Sequence, residues 1–357
     1  MRILFLTGRE TGYPRNRLLL RILQKNHQVE VVRAQDAHAP ALGRSLAVTL
    51  SALPLLRKQS YDLVVIGFFG HLIVPVARRL TSSPILFDAF VSTYDTLIND
   101  RQTHSQRSLV SWLARRLDRL ACDSADQILL DTQASIQFFA TALGVSTDRL
   151  SRMWVGCEED LFYPQPEPES GITSVLFYGS FQPLHGIDTI LNAANLLREE
   201  KSIRFSIIGQ GRQQGAMVKL AQEKNLTQVT FGPPIPYLDL PRLIAGSTIC
   251  LGGPFGNSEK ARRVITGKTY QCIAMGKATI VGDSPANHEL LSHQSDAWFC
   301  EMDNAGALAE AIGVLHRQPE LRERLGRHAR ATFMEHASLA ALTPRLEAVI
   351  QTTARGK

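Results

Sequence analysis

The sequence predicts two α/β domains, each a doubly wound parallel sheet, joined by a proline-rich hinge. Three observations carry this. Short branched apolar runs such as Leu63-Val64-Val65-Ile66 and Ala278-Thr279-Ile280-Val281 have the character of strands buried on both faces. They alternate with stretches of helical apolar spacing, and the alternation starts afresh near residue 175. Between the halves, residues 163–171 hold three prolines, acidic residues and no apolar period, the composition of a connector. A chain of 357 residues with 44% hydrophobic content can fill two cores. The expected divisions are 1–163, 164–335, and a closing helix at 336–357 able to pack back on the first domain.

Composition narrows the function. The net charge of +6 is spread evenly over the two halves. That argues against a nucleic-acid protein, which concentrates its basic charge on one face. It suits a phosphorylated substrate or peripheral contact with an anionic membrane. The five cysteines are odd in number, scattered, and without a C-x-x-C pair. They read as buried thiols in a reducing compartment, the cytoplasm or the inner membrane face. No run of 18 apolar residues exists to span a bilayer.

In the first half, residues 2–7 are a strand, followed by a loop holding Gly12 and Arg15 and a helix with Leu18, Leu19, Ile22 and Leu23. Val29–Val32 is the next strand, completing a β-α-β unit. Residues 45–57 form an apolar helix with Arg44, Arg57 and Lys58 at its ends; core is the preferred reading, and lying on a membrane surface is the alternative. Leu63–Ile66 empties into a loop ending at His71, and Pro84–Phe87 into one carrying Asp88, Tyr94 and Asp95. Loops after parallel strands gather at one sheet edge, so His71, Asp88, Tyr94 and Asp95 are expected to share a site. The alternative for each is a helix cap. Residues 105–121 form an amphipathic helix with Leu109, Trp112, Leu113, Leu117 and Leu120 on one face and arginines elsewhere. Strands at 128–130 and 153–155 flank a helix at 133–143.

The second half repeats the pattern, with strands at 175–178, 205–208, 229–231 and 248–251. Its most informative stretch is 252–291. Lys260, Arg262, Arg263 and Lys268 crowd just before or at the start of a helix that Thr266 is placed to cap. Cations at a helix N-terminus oppose its dipole, and a bound anion, usually phosphate, reverses that sign. A solvated basic loop is the plain alternative. Thr266-Gly267-Lys268-Thr269 imitates the end of a P-loop, but Arg262 stands where that motif requires glycine. Gly209-Gln210-Gly211 hints at a dinucleotide loop, with the wrong spacing and no acidic residue ending the next strand.

From Gly156 to Leu339 the chain resembles the retaining glycosyltransferases of GT-B fold, the large family 4-like group that uses nucleotide-sugar donors. The resemblance is carried by Leu176-Phe177-Tyr178-Gly179-Ser180 with His185-Gly186-Ile187-Asp188, by Ile208-Gly209-Gln210-Gly211, by Ala274-Met275-Gly276-Lys277, and by His288-Glu289-Leu290-Leu291. It implies two Rossmann-like domains facing across a cleft, the acceptor on the first and the nucleotide sugar on the second. The family's paired glutamates fall on Arg263 and Gln271, and its diphosphate-binding Arg and Lys on Ser180 and His185. Gln271 can still hydrogen-bond a ribose diol. Glu259 is placed to supply a carboxylate, and Lys260, Arg263 and Lys268 the positive charge.

The resemblance thus implies donor-binding roles for Ser180, Gly211, Glu259, Lys260, Arg263, Lys268, Gln271 and Glu289. Gly12, Arg15, Tyr94 and Asp95 are assigned to the acceptor side, and Asp88, His71 and His185 to the chemistry. Cationic side chains and a helix N-terminus would stabilise the leaving diphosphate without a metal or other cofactor. The acceptor is expected to be a glycan, lipid-linked or polysaccharide hydroxyl. Two further readings are a non-catalytic homologue binding a glycan or partner, and an NAD(P)-dependent oxidoreductase resting only on Gly209-x-Gly211.

Overall fold

The computed structural model describes residues 1–34, 40–58, 60–100, 103, 105–166 and 171–355. Residues 167–170 of the expected hinge lie outside that set. The chain divides into two compact units, Met1–Val155 with Leu339–Lys357, and Gly156–Ser338.

The first unit runs β1 (Arg2–Thr7), α1 (Pro14–Asn26), β2 (Gln28–Arg33), α2 (Ala41–Arg57), β3 (Leu63–Ile66), α3 (Ile73–Leu80), β4 (Ile85–Phe90), α4 (Leu109–Asp123), β5 (Gln127–Leu130), α5 (Gln133–Leu143) and β6 (Leu150–Arg152). The strands are parallel in the order β2-β1-β3-β4-β5-β6. Alternate strand residues serve opposite faces. Leu4, Leu6, Val64, Ile66 and Phe87 pack with Val48 and Ala52 of α2, Ala77 of α3, Ala121 of α4 and Phe139 of α5. Pro14 opens α1, where a missing N–H costs nothing. Ser108 and Thr132 cap α4 and α5 by accepting from Ser111 and Ser135 backbone N–H.

Four expectations for this unit need correction. Residues 153–155 are not a strand, because the Met153 and Trp154 carbonyls accept from Arg15 Nη1 at 2.6 and 2.8 Å instead of from a neighbour strand. Asp88 is not in a loop, because β4 continues to Phe90. The apolar stripe of α4 faces water: Ser111, Ala114, Asp118, Ala121 and Cys122 form its buried side. On α2, Val48, Ala52 and Leu56 are core, but Leu46 and Leu50 are exposed.

The second unit runs β7 (Thr173–Ser180), α6 (Ile187–Leu196), β8 (Ile203–Gln210), α7 (Gln214–Glu223), β9 (Val229–Gly232), α8 (Leu240–Ala245), β10 (Ile249–Leu251), α9 (Gly267–Ala274), β11 (Ala278–Gly282), α10 (Pro285–His288), β12 (Trp298–Cys300), α11 (Ala305–Arg317) and α12 (Pro319–His336). Its parallel sheet is ordered β12-β11-β10-β7-β8-β9. Residues 156–162, ahead of the expected boundary, belong here: Cys157 bridges to Ser338, and Phe162 is fully buried. A last helix, α13 (Leu339–Arg355), belongs to the first unit, where it packs on α1. All five cysteines are buried, and none is in a disulfide.

Candidate active site

In a doubly wound sheet the strand order reverses once, and the loops on either side of that point splay apart to leave a crevice. In the second unit the reversal lies between β7 and β10, so the loops after those strands define it. They meet closely. Gly256 N–H donates to the Leu184 carbonyl at 3.0 Å. Gly186 has φ of 60°, and a Cβ there would sit 2.6 Å from Gly256 N. Both the left-handed backbone and the space demand glycine at 186. Gly211, at φ 158°, is fixed in the same way by the Phe181 backbone, 2.7 Å from where its Cβ would stand.

His185 lies on the β7 side of the crevice and Lys268 in the first turn of α9, after the β10 loop. Lys268 Nζ is 3.1 Å from His185 Nδ1 and 3.5 Å from Thr266 Oγ1. It also stands 4.9 Å over the Phe177 ring. None of these contacts carries negative charge. Burial therefore goes uncompensated and pulls the Lys268 pKa down to about 7. Burial, with Lys268 and Lys260 beside it, holds the His185 imidazole well below its ordinary pKa. A neutral His185 accepts at Nδ1 when Lys268 is protonated, which places the ring proton on Nε2.

The other donor-side residues divide into those at the crevice and those turned inward. Ser180 is exposed at the end of β7, and Gly211 follows β8 on the neighbouring strand. Lys260 is buried and close enough to act on His185. Arg263 donates to Glu259 Oε2 at 3.2 Å, so the proposed carboxylate is paired with a proposed cation. The turn holding Arg263 packs against α10, which Glu289 follows. Gln271, a turn further along α9, is almost fully buried, and its Oε1 accepts from Tyr178 at 2.7 Å. Thr266 does not cap α9 with its side chain; its hydroxyl donates to the Gly252 carbonyl at 2.7 Å and ties the β10 loop to the helix start. Sequence reading missed Phe177 and Tyr178, whose apolar strand setting hides the ring under Lys268 and the hydroxyl on Gln271.

The first unit reverses between β1 and β3. Here the chemistry assigned to charged residues is taken up by the fold. Arg15 and Asp88 are both fully buried, joined by bonds of 3.1, 3.0 and 2.8 Å. His71 is buried with Asp118 Oδ1 at 3.6 Å, and burial still lowers its pKa. Asp118, unnoticed in the sequence, accepts from Ser92 Oγ at 2.6 Å and from the Thr93 and Tyr94 N–H groups, both at 2.9 Å. The Tyr94 hydroxyl accepts from Arg115 at 2.6 Å, and Asp95 accepts from Asn99 at 2.7 Å. Gly12 stands in open space in the β1 loop. Beside it Tyr13, Phe68, Phe69 and Phe90 cluster with ring centroids 4.7–6.4 Å apart. Phe69 and Phe90 hold φ of 69° and 56°, costly for side chains of that size.

Residues 173–318 match the family described as Glycosyl transferases group 1. Over those residues the second unit is similar to the group 1 glycosyltransferases. A stretch of 70 residues is 34% identical to the putative colanic acid biosynthesis glycosyl transferase WcaI of Escherichia coli K12, spanning 20% of this chain and 17% of that protein. The whole chain has the GT-B fold. HepE of Anabaena, solved in complex with UDP, is similar with a TM-score of 0.74 at 16% identity, over 99% of this chain and 100% of HepE. Sucrose-phosphate synthase of Thermosynechococcus elongatus gives 0.79 at 14% identity, over 100% of this chain and 99% of the synthase. Within the second unit the residues that match the family include the whole crevice between β7 and β10.

Proposed function

We propose that the protein transfers a sugar from a nucleoside-diphosphate sugar to a hydroxyl of a glycan, lipid or polysaccharide acceptor, with retention and without a metal. The carrying observation is Lys268: a buried amine at the reversal of the second sheet, beside a neutral imidazole and a ring, with no counter-charge among its contacts. A diphosphate supplies that charge. Placed there, it would also meet the start of α9, whose Gly267 and Lys268 N–H groups have no acceptor within the helix. HepE was solved with UDP and with UDP-glucose, which makes UDP-sugars the first donors to test.

As the bond to the anomeric carbon breaks, negative charge grows on the leaving diphosphate. Lys268 and Lys260 would stabilise it in a partly closed site, where such charges act strongly. In a retaining reaction the acceptor hydroxyl approaches from the leaving-group face. The donor phosphate is then the proton acceptor that the structure favours, since Asp88 is locked by Arg15 and His71 is buried. The acceptor would lie against the loops of the first unit, where Tyr13, Phe69 and Phe90 offer ring faces for a sugar.

Turnover of UDP-sugars in the presence of candidate acceptors, followed by mass spectrometry, tests this directly. Donor consumption with an α-linked product from an α-linked donor is expected; inversion at the anomeric carbon would defeat the retaining mechanism. The second reading is a non-catalytic glycan- or partner-binding homologue. Two observations favour it, Arg263 in place of a glutamate and Gln271 committed to Tyr178. Either transfer or slow donor hydrolysis would exclude it.

A further inference from the structure

On the outer side of the first unit, two helices hold large apolar side chains in water. On α4, Leu109 is 70% exposed, Trp112 54% and Leu113 51%; on α2, Leu46 is 58% and Leu50 57%. Each set recurs at three- and four-residue spacing, so each forms one stripe along its helix. Both helices pack against α3, which places the two stripes on the same layer of the unit. Helices of this layer start at the carboxyl edge of the sheet, the edge onto which the β1, β3 and β4 loops open.

Charge identifies what such a surface fits. Arg107 precedes α4, and Arg115, Arg116 and Arg119 are interleaved with its stripe, the Arg116 guanidinium 5.3 Å from the Trp112 ring. Neither helix contains a glutamate, and α2 contains no aspartate. Of the two aspartates on α4, Asp118 is buried and Asp123 is bridged to Arg119. A second copy of the chain docked through the same face would set arginines against arginines. We propose that the outer faces of α2 and α4 form a docking surface for an anionic lipid bilayer, with α4 lying in the interface. Leucine and tryptophan on one side and arginine on the flanks are what the headgroup boundary of such a bilayer solvates best. Docking there sets the bilayer beside the edge onto which the β1, β3 and β4 loops open. The inference is independent of the donor chemistry, since binding is read without turnover.

Sedimentation of the full chain with phosphatidylglycerol-containing vesicles, against pure phosphatidylcholine vesicles, tests it. Binding to the anionic vesicles that weakens with salt is expected. Replacing Arg107 and Arg116 with glutamine should weaken binding about thirtyfold, and L109S/L113S should abolish it. These side chains are exposed, so the melting temperature should not move. As a readout that does not depend on weakened binding, brominated lipid chains should quench the fluorescence of the parent chain and leave Trp112→Phe unquenched. Absence of vesicle binding, equal binding by L109S/L113S, or a dimer in solution that those substitutions dissociate would each overturn the proposal.

Discussion

At the scale of single residues, Lys268 carries the most specific expectations. A charge-assisted bond to phosphate contributes about 1.5–3 kcal/mol, so Lys268→Ala should weaken nucleoside-diphosphate binding roughly ten- to a hundredfold. The bare nucleoside, lacking phosphate, should bind the variant as it binds the parent. Calorimetry with both ligands separates this from a structural role, which would weaken the two alike. The same side chain gives a pH signature. Its folded pKa of about 7 lies below its ordinary 10.5, so between those values the unfolded chain holds more protons than the folded one. Stability attributable to Lys268 should therefore rise with pH across that window and be lowest below 7. Lys268→Met should be relatively most stable at pH 6, and its advantage should close toward pH 10 in denaturant titrations. Of the groups around it, the neutral His185 accepts from the protonated amine, and Cys272 would attract a proton to Lys268 only as a thiolate, a form its raised pKa disfavours.

At the scale of elements, the β4 segment shows how one buried pair can take a residue out of the chemistry. Asp88 was expected at the mouth of a loop, poised as a base. The strand instead continues past it, and Arg15 from the start of α1 closes on it while also holding the carbonyls after β6. Removing one partner of such a pair leaves an uncompensated charge, at a cost of about 3–5 kcal/mol. Asp88→Asn should accordingly lower the melting temperature sharply. A loss of kcat with the melting temperature unchanged would restore Asp88 as a catalytic group. Helix α4 gives the converse case. Its pattern announces an amphipathic helix correctly, but periodicity says only that one side differs from the other. The side facing the sheet is lined by Ala114, Ala121 and Cys122 around the buried Asp118, which anchors residues 92–94. Asp118→Ala would strand those donors at about 1–3 kcal/mol each, enough to detect as lowered stability by denaturant titration.

At the scale of the whole molecule, two expectations concern the division of labour between the units. Nucleoside diphosphate should protect backbone amides from exchange around 179–186, 209–211 and 252–271. It should leave the β1, β3 and β4 loops as they are. Protection concentrated before residue 150 would reverse the assignment of donor and acceptor sides. Lysine side chains are proposed to do the work of a divalent ion, so turnover should survive EDTA. Loss restored by magnesium or manganese would show that the charge on Lys260 and Lys268 is insufficient.

The alternation of branched apolar runs with helical periods was enough to foretell two parallel α/β sheets, because strand and helix periods are local properties of the chain. The crowded cations before α9 were equally legible, since a helix start and its charges are close in sequence. What the sequence could not carry were relations between distant residues. That Lys268 meets His185 and that Gln271 is engaged by Tyr178 depend on which loops the sheet order brings together. Burial decided the rest. Arg15, Asp88 and His71 are polar residues near strand ends, the usual place for function, and only tertiary packing shows that the core encloses them and leaves the leucines of α4 in water.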